Sequence, residues 1–286
     1  MSKTVISVES TCDLTEKHVA EYGIALINME YSVDGDIHMM GDGAYTNKQF
    51  YCKMREGSVT KTSQINEFRA TEHLRSILST GADVIHIAFS SSLSGTYGCF
   101  VAAADALKDE FPNAKIAIVD SLCACAGQGL LTVEVAEYLK SHTFEETVEY
   151  AESIKHNVNH LFVVDDLKYL ARGGRISKAT ALLGNTIHMK PVMHMNNKGE
   201  LVAFKKVLSR KKSMLTLVDL TAQRFSKDGN RIYIAHADCI EDAQFVAERV
   251  EKLTGVKSEI MDLGMVIGSH SGPGTLAVFF VGELRA

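Results

Sequence analysis

Asp83-Val84-Ile85-His86-Ile87-Ala88-Phe89-Ser90-Ser91-Ser92-Leu93-Ser94-Gly95-Thr96-Tyr97 sets an apolar run against a hydroxyl-rich loop. Residues 83–89 are short, apolar and rich in β-branched side chains, which predicts a buried strand. Residues 96–109, with Val101-Ala102-Ala103-Ala104 at their centre, predict the helix that follows. Strand, tight loop and helix make the repeating unit of an α/β layer, with crossover helices on the sheet faces. The same order recurs on either side. Residues 5–9 read as a strand before a helix at about 15–22, and residues 115–120 as a strand before a helix near 128–140. Residues 24–33 read as one further strand, and Asp34-Gly35-Asp36 turns the chain into a short hairpin. Helical stretches near 47–55 and 67–79 complete this half.

The second half reads differently. A helix around 144–157 leads to a strand at 161–165, a short helical region and Gly173-Gly174. Strands at 191–195 and 201–207 flank Asn196-Asn197-Lys198-Gly199, a hairpin signal. Helices at 212–225 and 241–253 enclose a strand at 231–235, and strands near 258–263 and 275–281 follow. Hairpins mixed with helices predict a mixed sheet with helices on one face. The reading is therefore α/β with two domains. Residues 1–158 form an N-terminal three-layer α/β domain with a mostly parallel sheet. Residues 159–286 form a smaller, C-terminal two-layer α/β domain with a mixed sheet.

Composition agrees. At roughly 100–200 residues per domain, 286 residues make two domains or one large one. The hydrophobic 46% and charged 23% are globular proportions, which sets aside disorder and coiled coil. The longest apolar run, Leu276-Ala277-Val278-Phe279-Phe280-Val281, falls far short of the ~18 residues of a membrane helix. Glu9 interrupts the first apolar stretch before a signal-peptide core could form. A soluble, cytoplasmic protein without an integral membrane segment is expected. Thirty Lys and Arg against 35 Asp and Glu give a net charge of −5, which argues against a nucleic-acid partner. The dense basic stretch from Lys205-Lys206 to Arg210-Lys211-Lys212 reads as the solvated flank of a helix start. The six cysteines lack paired Cys-x-x-Cys spacing, so neither a metal nor a disulfide is expected. Cys123-Ala124-Cys125 reads as small packing residues before a helix.

Four constellations carry candidate chemistry. Ligands of open α/β sheets sit beyond the carboxyl ends of the strands, and helix starts there offer free N–H groups to anions. Residues 89–97 occupy such a place: Gly95 lets the backbone approach closely, and Ser94 and Thr96 add hydroxyl donors without charge. Four serines and a threonine exceed what one helix cap needs, which favours an oxyanion site over a capping cluster. Lys61-Thr62-Ser63-Gln64, between two helical segments, is similarly rich in hydroxyls and gains meaning only by meeting that loop in space. In Ser269-His270-Ser271-Gly272-Pro273-Gly274, His270 stands before a turn of restricted shape, where its imidazole could donate to a carboxylate. Arg172-Gly173-Gly174-Arg175 reads equally as an anion clamp, a dock for an acidic partner, or a helix cap followed by solvated arginines.

Other machinery is missing. The chain has neither a P-loop nor a Gly-x-Ser-x-Gly nucleophile elbow. Gly272-Pro273-Gly274-Thr275-Leu276-Ala277 imitates a dinucleotide fingerprint but leads into a strand-like run. His156 and His160 lack a third metal ligand. No catalytic residue, cofactor or metal is assigned.

Taken in order, Ser10-Thr11-Cys12-Asp13-Leu14, Thr62-Ser63-Gln64, Ser90 to Tyr97, Arg172-Gly173-Gly174-Arg175-Ile176 and His270-Ser271-Gly272-Pro273-Gly274 resemble the motifs of the DegV family from end to end. Ile65-Asn66 replaces the family's usual Pro-containing continuation, and Ser92 stands where Gly is common. The resemblance implies a two-domain fatty-acid-binding protein, with a long acyl chain such as palmitate buried between the domains. It implies that Thr62 and Ser94 hold the carboxylate, with His270 nearby. Ser63, Gly95 and Thr96 lie in the same two loops, and the loop of Arg172 and Arg175 is a candidate for head-group or partner contact. For some members it further implies a role in lipid transport or metabolism: the chain presents the acyl carboxylate to the separate ATP-binding subunit of a fatty-acid kinase.

Physical chemistry is compatible with that implication. At ~0.8 kcal/mol per methylene, a dozen methylenes offer on the order of 10 kcal/mol before ordering costs. A buried carboxylate must still be hydrogen-bonded, and hydroxyls with helix N–H groups do this without burying a full positive charge. Met189, Met193 and Met195 suit either an adaptable channel or ordinary core. The competing reading is an enzyme transferring a phosphoryl or acyl group, with His270 as base or nucleophile and the Ser94 loop holding the anion. A third is an interaction module with neither lipid nor turnover.

Overall fold

In the computed structural model, residues 3–177, 189–226 and 229–285 are described. The first part runs β1 (Thr4–Glu9), α1 (Glu16–Tyr22), β2 (Ala25–Ile27), β3 (Glu30–Val33), β4 (Asp36–Met39), α2 (Asn47–Arg55), β5 (Thr60–Ser63), α3 (Glu67–Leu78), β6 (Asp83–Ala88), α4 (Thr96–Leu107), β7 (Ile116–Asp120), α5 (Cys125–Leu139) and α6 (Phe144–Ile154). The second runs β8 (Val158–Val163), α7 (Lys168–Arg172), β9 (Met189–Met195), β10 (Leu201–Leu208), α8 (Arg210–Arg224), β11 (Ile232–His236), α9 (Ile240–Thr254), β12 (Glu259–Asp262), α10 (Met265–Ser271) and β13 (Leu276–Val281). Side chains start several helices. Thr15 and Asn66 accept from backbone N–H groups three residues on, and Thr46 and Thr143 form reciprocal boxes with Gln49 and Glu146.

Strands β2-β1-β6-β7 make a wholly parallel sheet. Helices α3 and α4 pack together on one face and α5 covers the other, giving three layers. The second sheet, β10-β9-β8-β13-β11-β12, is mixed: β11 and β12 are parallel and the remaining pairs antiparallel. Strict alternation divides its two faces. Leu161, Val163, Val192, Val278 and Phe280 pack under α8 and α9, whereas Phe162, Met193, Ala277 and Phe279 face the first domain. Helix α5 lies between the sheets and is buried on nearly all sides, so its sequence shows no polar face. Gly127 and Gly129 permit this double contact, because a Cβ would strike His160 on one side and the Cys12 carbonyl on the other.

The architecture is the expected two-domain α/β one, with three local differences. Residues 24–33 are not one strand: the chain leaves β2 and enters a separate antiparallel sheet, β4-β3-β5. Residues 60–63 supply its third strand, where helical flanks had suggested a loop. Residues 265–271 form helix α10, so His270 sits in a last helical turn before the Gly272-Pro273-Gly274 turn. Among the described residues, no helix is long and apolar enough to cross a membrane.

Candidate functional site

The parallel strands β1, β6 and β7 end at one edge of their sheet, and the strand order switches between β1 and β6, with β2 added on one side of β1 and β6 and β7 on the other. Buried Glu9 at the end of β1 fastens this edge. Its carboxylate accepts from the Phe89 amide at 3.1 Å and from Gln128 Nε2 at 2.6 Å. Gln128 Oε1 in turn accepts from Thr11 Oγ1 at 2.8 Å. Beyond the edge lies a cavity of about 610 Å³, within the ~300–1,000 Å³ usual for small-molecule sites. Its walls come from both halves: Thr11, Phe89 and Ala124 from the first sheet's strand ends, Phe162, Met195 and Phe279 from the inner face of the second. No Asp or Glu stands among the described lining residues.

Polar groups gather at Thr62, Gln64, Ser94, Gly95, Arg175 and His270. Strand alternation decides which hydroxyl of β5 takes part. Thr62 pairs with buried Tyr31 across β3 and lines the cavity, while Ser63, next along, is exposed and lies outside the lining. Thr62 Oγ1 meets His270 Nε2 at 2.7 Å. Burial, reinforced by the charges of Arg175 and Arg172, pushes the His270 pKa down to about 4, so the ring is neutral at pH 7. Its Nδ1 is buried against Gly173, where a Cβ would collide with it, and has no partner among the described residues.

The serine loop divides its work. Ser90 and Ser92 donate to the carbonyls of Gly199 and Lys198 and so tie the β9–β10 turn to the first domain. The Ser91 amide donates to Asp120. Ser94 faces the cavity, with its Oγ 3.0 Å from Thr96 Oγ1 and accepting from the Thr96 amide at 3.2 Å. Thr96 is fully buried and outside the lining; its hydroxyl accepts from the Ile65 amide at 3.3 Å, locking the start of α4 to the end of β5. Gly95 is where Gln64 approaches, since a Cβ there would strike the Gln64 carboxamide.

Thr62, Ser94, Gly95 and His270 thus come together at the cavity, while Ser63, Thr96 and Arg172 do not line it. Arg172 ends α7 with its guanidinium over the Tyr169 ring at 5.3 Å, and Arg175 reaches the lining instead. The loop 172–175 is therefore both a helix end and a source of one cavity arginine. Thr11 and Gln64 also line the cavity; both lie in motifs quoted from the sequence, Ser10 to Leu14 and Lys61 to Gln64, though neither was named there as a ligand contact.

Comparison with known proteins agrees with this architecture. The family model described as "Uncharacterised protein, DegV family" matches residues 3–283. A DegV domain-containing protein of Clostridium perfringens is 39% identical over 289 residues, spanning 100% of this chain and 99% of that one. The crystal structure of DegV, a fatty acid binding protein from Bacillus subtilis, matches with a TM-score of 0.85 at 27% identity, over 99% of this chain and 100% of that one. A DegV lipid binding protein of Thermotoga maritima matches with a TM-score of 0.86 at 26% identity, over the same shares. Matched along nearly its whole length in sequence and in fold, the chain belongs to the DegV family.

Proposed function

We propose that this protein binds a long-chain fatty acid without catalysing a reaction on it, the acyl chain filling the cavity and the carboxylate lying against Thr62, Ser94 and His270. One observation carries the reading: an apolar cavity between two sheets ends in neutral hydroxyls, an uncharged imidazole and Arg175, with no carboxylate in its described lining. Such a lining offers an acid's head hydrogen bonds and its tail a place away from water. If the neutral His270 carries its proton on Nε2, it donates to Thr62 Oγ1 and leaves the Thr62 O–H to donate to the ligand. The solved Bacillus subtilis relative, described as a fatty acid binding protein, supports the same reading.

We further propose that the carboxylate is presented to the ATP-binding subunit of a fatty-acid kinase, with Arg172 at the surface as a partner contact. We also propose that the domains divide near residue 158; β8, which starts there, belongs to the second sheet. The transferase reading is weaker. With its pKa at about 4, His270 is a poor base at pH 7, and no described acceptor orients its Nδ1.

Native mass spectrometry of the gently purified protein tests the binding. An added mass equal to a long-chain acid is expected, and stripped protein should take up palmitate. A protein that carries no acid and rejects added palmitate would end the proposal. Phosphorylation of the acid by ATP only when a kinase subunit is added would support the presenting role; turnover by this chain alone would refute it.

A further inference from the structure

The cavity runs along the inner face of the second sheet in rows set by strand alternation. Thr275, just before β13, stands beside the proposed head. Its hydroxyl lies 3.0 and 2.8 Å from the carbonyls of Ser271 and Gly272, the two residues after His270. Ala277 comes next, paired with Phe162 on β8, and then Phe279, paired with His160. All five side chains line the cavity. The following pair, Val158 and Val281, is outside the lining, so along these strands the cavity ends at His160 and Phe279. From Thr275 to Phe279 the strand advances about 13 Å, at ~3.3 Å per residue.

His160 is 3% exposed, and its polar atoms are turned to the backbone. Nδ1 lies 2.9 Å from the Val158 carbonyl, which can only accept, and Nε2 lies 3.2 Å from the Ala124 amide, which can only donate. The proton therefore sits on Nδ1, and both nitrogens are engaged. Burial pushes the ring's pKa well below its ordinary value and keeps it neutral. The ring thus offers the cavity carbon, braced edge to face by the Phe279 ring at 5.3 Å and 88°.

Gly127 fixes how far the ring stands back. It lies in α5, and a Cβ there would fall 2.2 Å from His160 Nε2 and 2.7 Å from Cδ2 and Cε1. Its φ is not positive, so an alanine would meet the ring without backbone strain.

We propose that His160, braced by Phe279 and given room by Gly127, is the wall that the acyl tail meets, and so sets the length of acid the protein accepts. That role rests on the fatty-acid binding proposed above and names what limits it. A ring with both nitrogens held by backbone stops a hydrocarbon without stranding a polar group, and it does not yield as a flexible Met side chain would.

Titration of the delipidated whole protein with saturated acids from laurate to behenate tests this. His160→Ala should shift the profile to longer acids, raising the affinity for arachidate relative to palmitate at least tenfold, since each methylene newly buried is worth roughly fourfold. Gly127→Ala should push the ring into the cavity and shift the profile the other way, lowering palmitate relative to laurate at least tenfold. The double variant has no ring to displace and should regain the longer acids, a coupling expected only if Gly127 acts through His160. Phe279→Leu trims the same wall more mildly and should also favour arachidate over palmitate relative to wild type; it decides the matter if the variants at 127 and 160 do not fold. Variants that bind acids with the wild-type length profile overturn the wall and leave acid binding standing, whereas wild-type protein that takes up no acid overturns both.

Discussion

His270 and Thr62 stand 208 positions apart in the chain, yet imidazole Nε2 and hydroxyl Oγ1 meet at 2.7 Å. The meeting needs both domains. Tyr31 sets the register of β5, and α10 is anchored from the first half by Tyr51 donating to the Leu263 carbonyl at 2.6 Å and Asp13 accepting from the Gly264 amide at 3.1 Å. The head of the cavity is therefore sealed only when the halves are assembled, which links acid binding to their docking.

Thr62→Ala and Ser94→Ala each remove one neutral donor from the proposed carboxylate site. A hydrogen bond to a charged group is worth ~1.5–3 kcal/mol, so each change should raise the Kd for a long-chain acid by about tenfold or more. Titration calorimetry with palmitate reads this, and circular dichroism should show an unaltered fold. Wild-type affinity in the double variant would place the head group elsewhere.

Gly173→Ala should weaken the acid without touching it. Gly173 has φ −73°, so alanine suffers no backbone strain, but its Cβ would collide with His270 Nδ1. The ring must shift away from Thr62. We expect a several-fold loss of palmitate affinity, with a thermal midpoint within a few degrees of wild type; equal affinity would show that the ring's position is immaterial.

The legible parts of this site were those coded locally. Residues 83–97 place the Ser94 loop at a strand's carboxyl end because the apolar run and the helix after it are both unambiguous. Thr60 to Ser63 is a short polar strand whose partners come from Glu30–Val33, so neither its state nor the inward aim of Thr62 could be read from its own residues. Residues 24–33 look continuous because their apolar pattern does not reveal that the two ends join different sheets. Helix α10 is seven residues with an internal glycine and two serines, too weak a pattern to announce itself beside a Gly-Pro-Gly turn.

Acid should destabilise the protein through its buried histidines. Burial holds His270 and His73 at about 4, below the ordinary value of 6.5. Between pH 6.5 and 4 the unfolded chain binds these protons and the folded chain does not, so stability is full above 6.5 and is lost as pH falls toward 4. His270→Asn should flatten that part of the curve of thermal midpoint against pH. A variant whose midpoint falls in parallel with wild type over this interval would contradict the assignment.

Adjacent residues on β13 should behave oppositely, because alternation sends Ala277 to the cavity and Val278 to the core under α8 and α9. Ala277 is paired with Phe162, another cavity residue, so Ala277→Leu adds bulk inside the space proposed for the acyl chain. Overpacking costs ~1–3 kcal/mol, but part of the added volume can enter the cavity, so the fold should persist while palmitate affinity drops at least tenfold. Shorter acids should be hurt less, giving a shift in chain-length preference. Val278→Ala removes buried methyls from the opposite face at roughly 1–3 kcal/mol and should lower the thermal midpoint with little change in palmitate affinity. If Ala277→Leu binds palmitate as wild type does, or Val278→Ala loses acid binding while still folded, the acyl chain does not lie on the inner face of the second sheet.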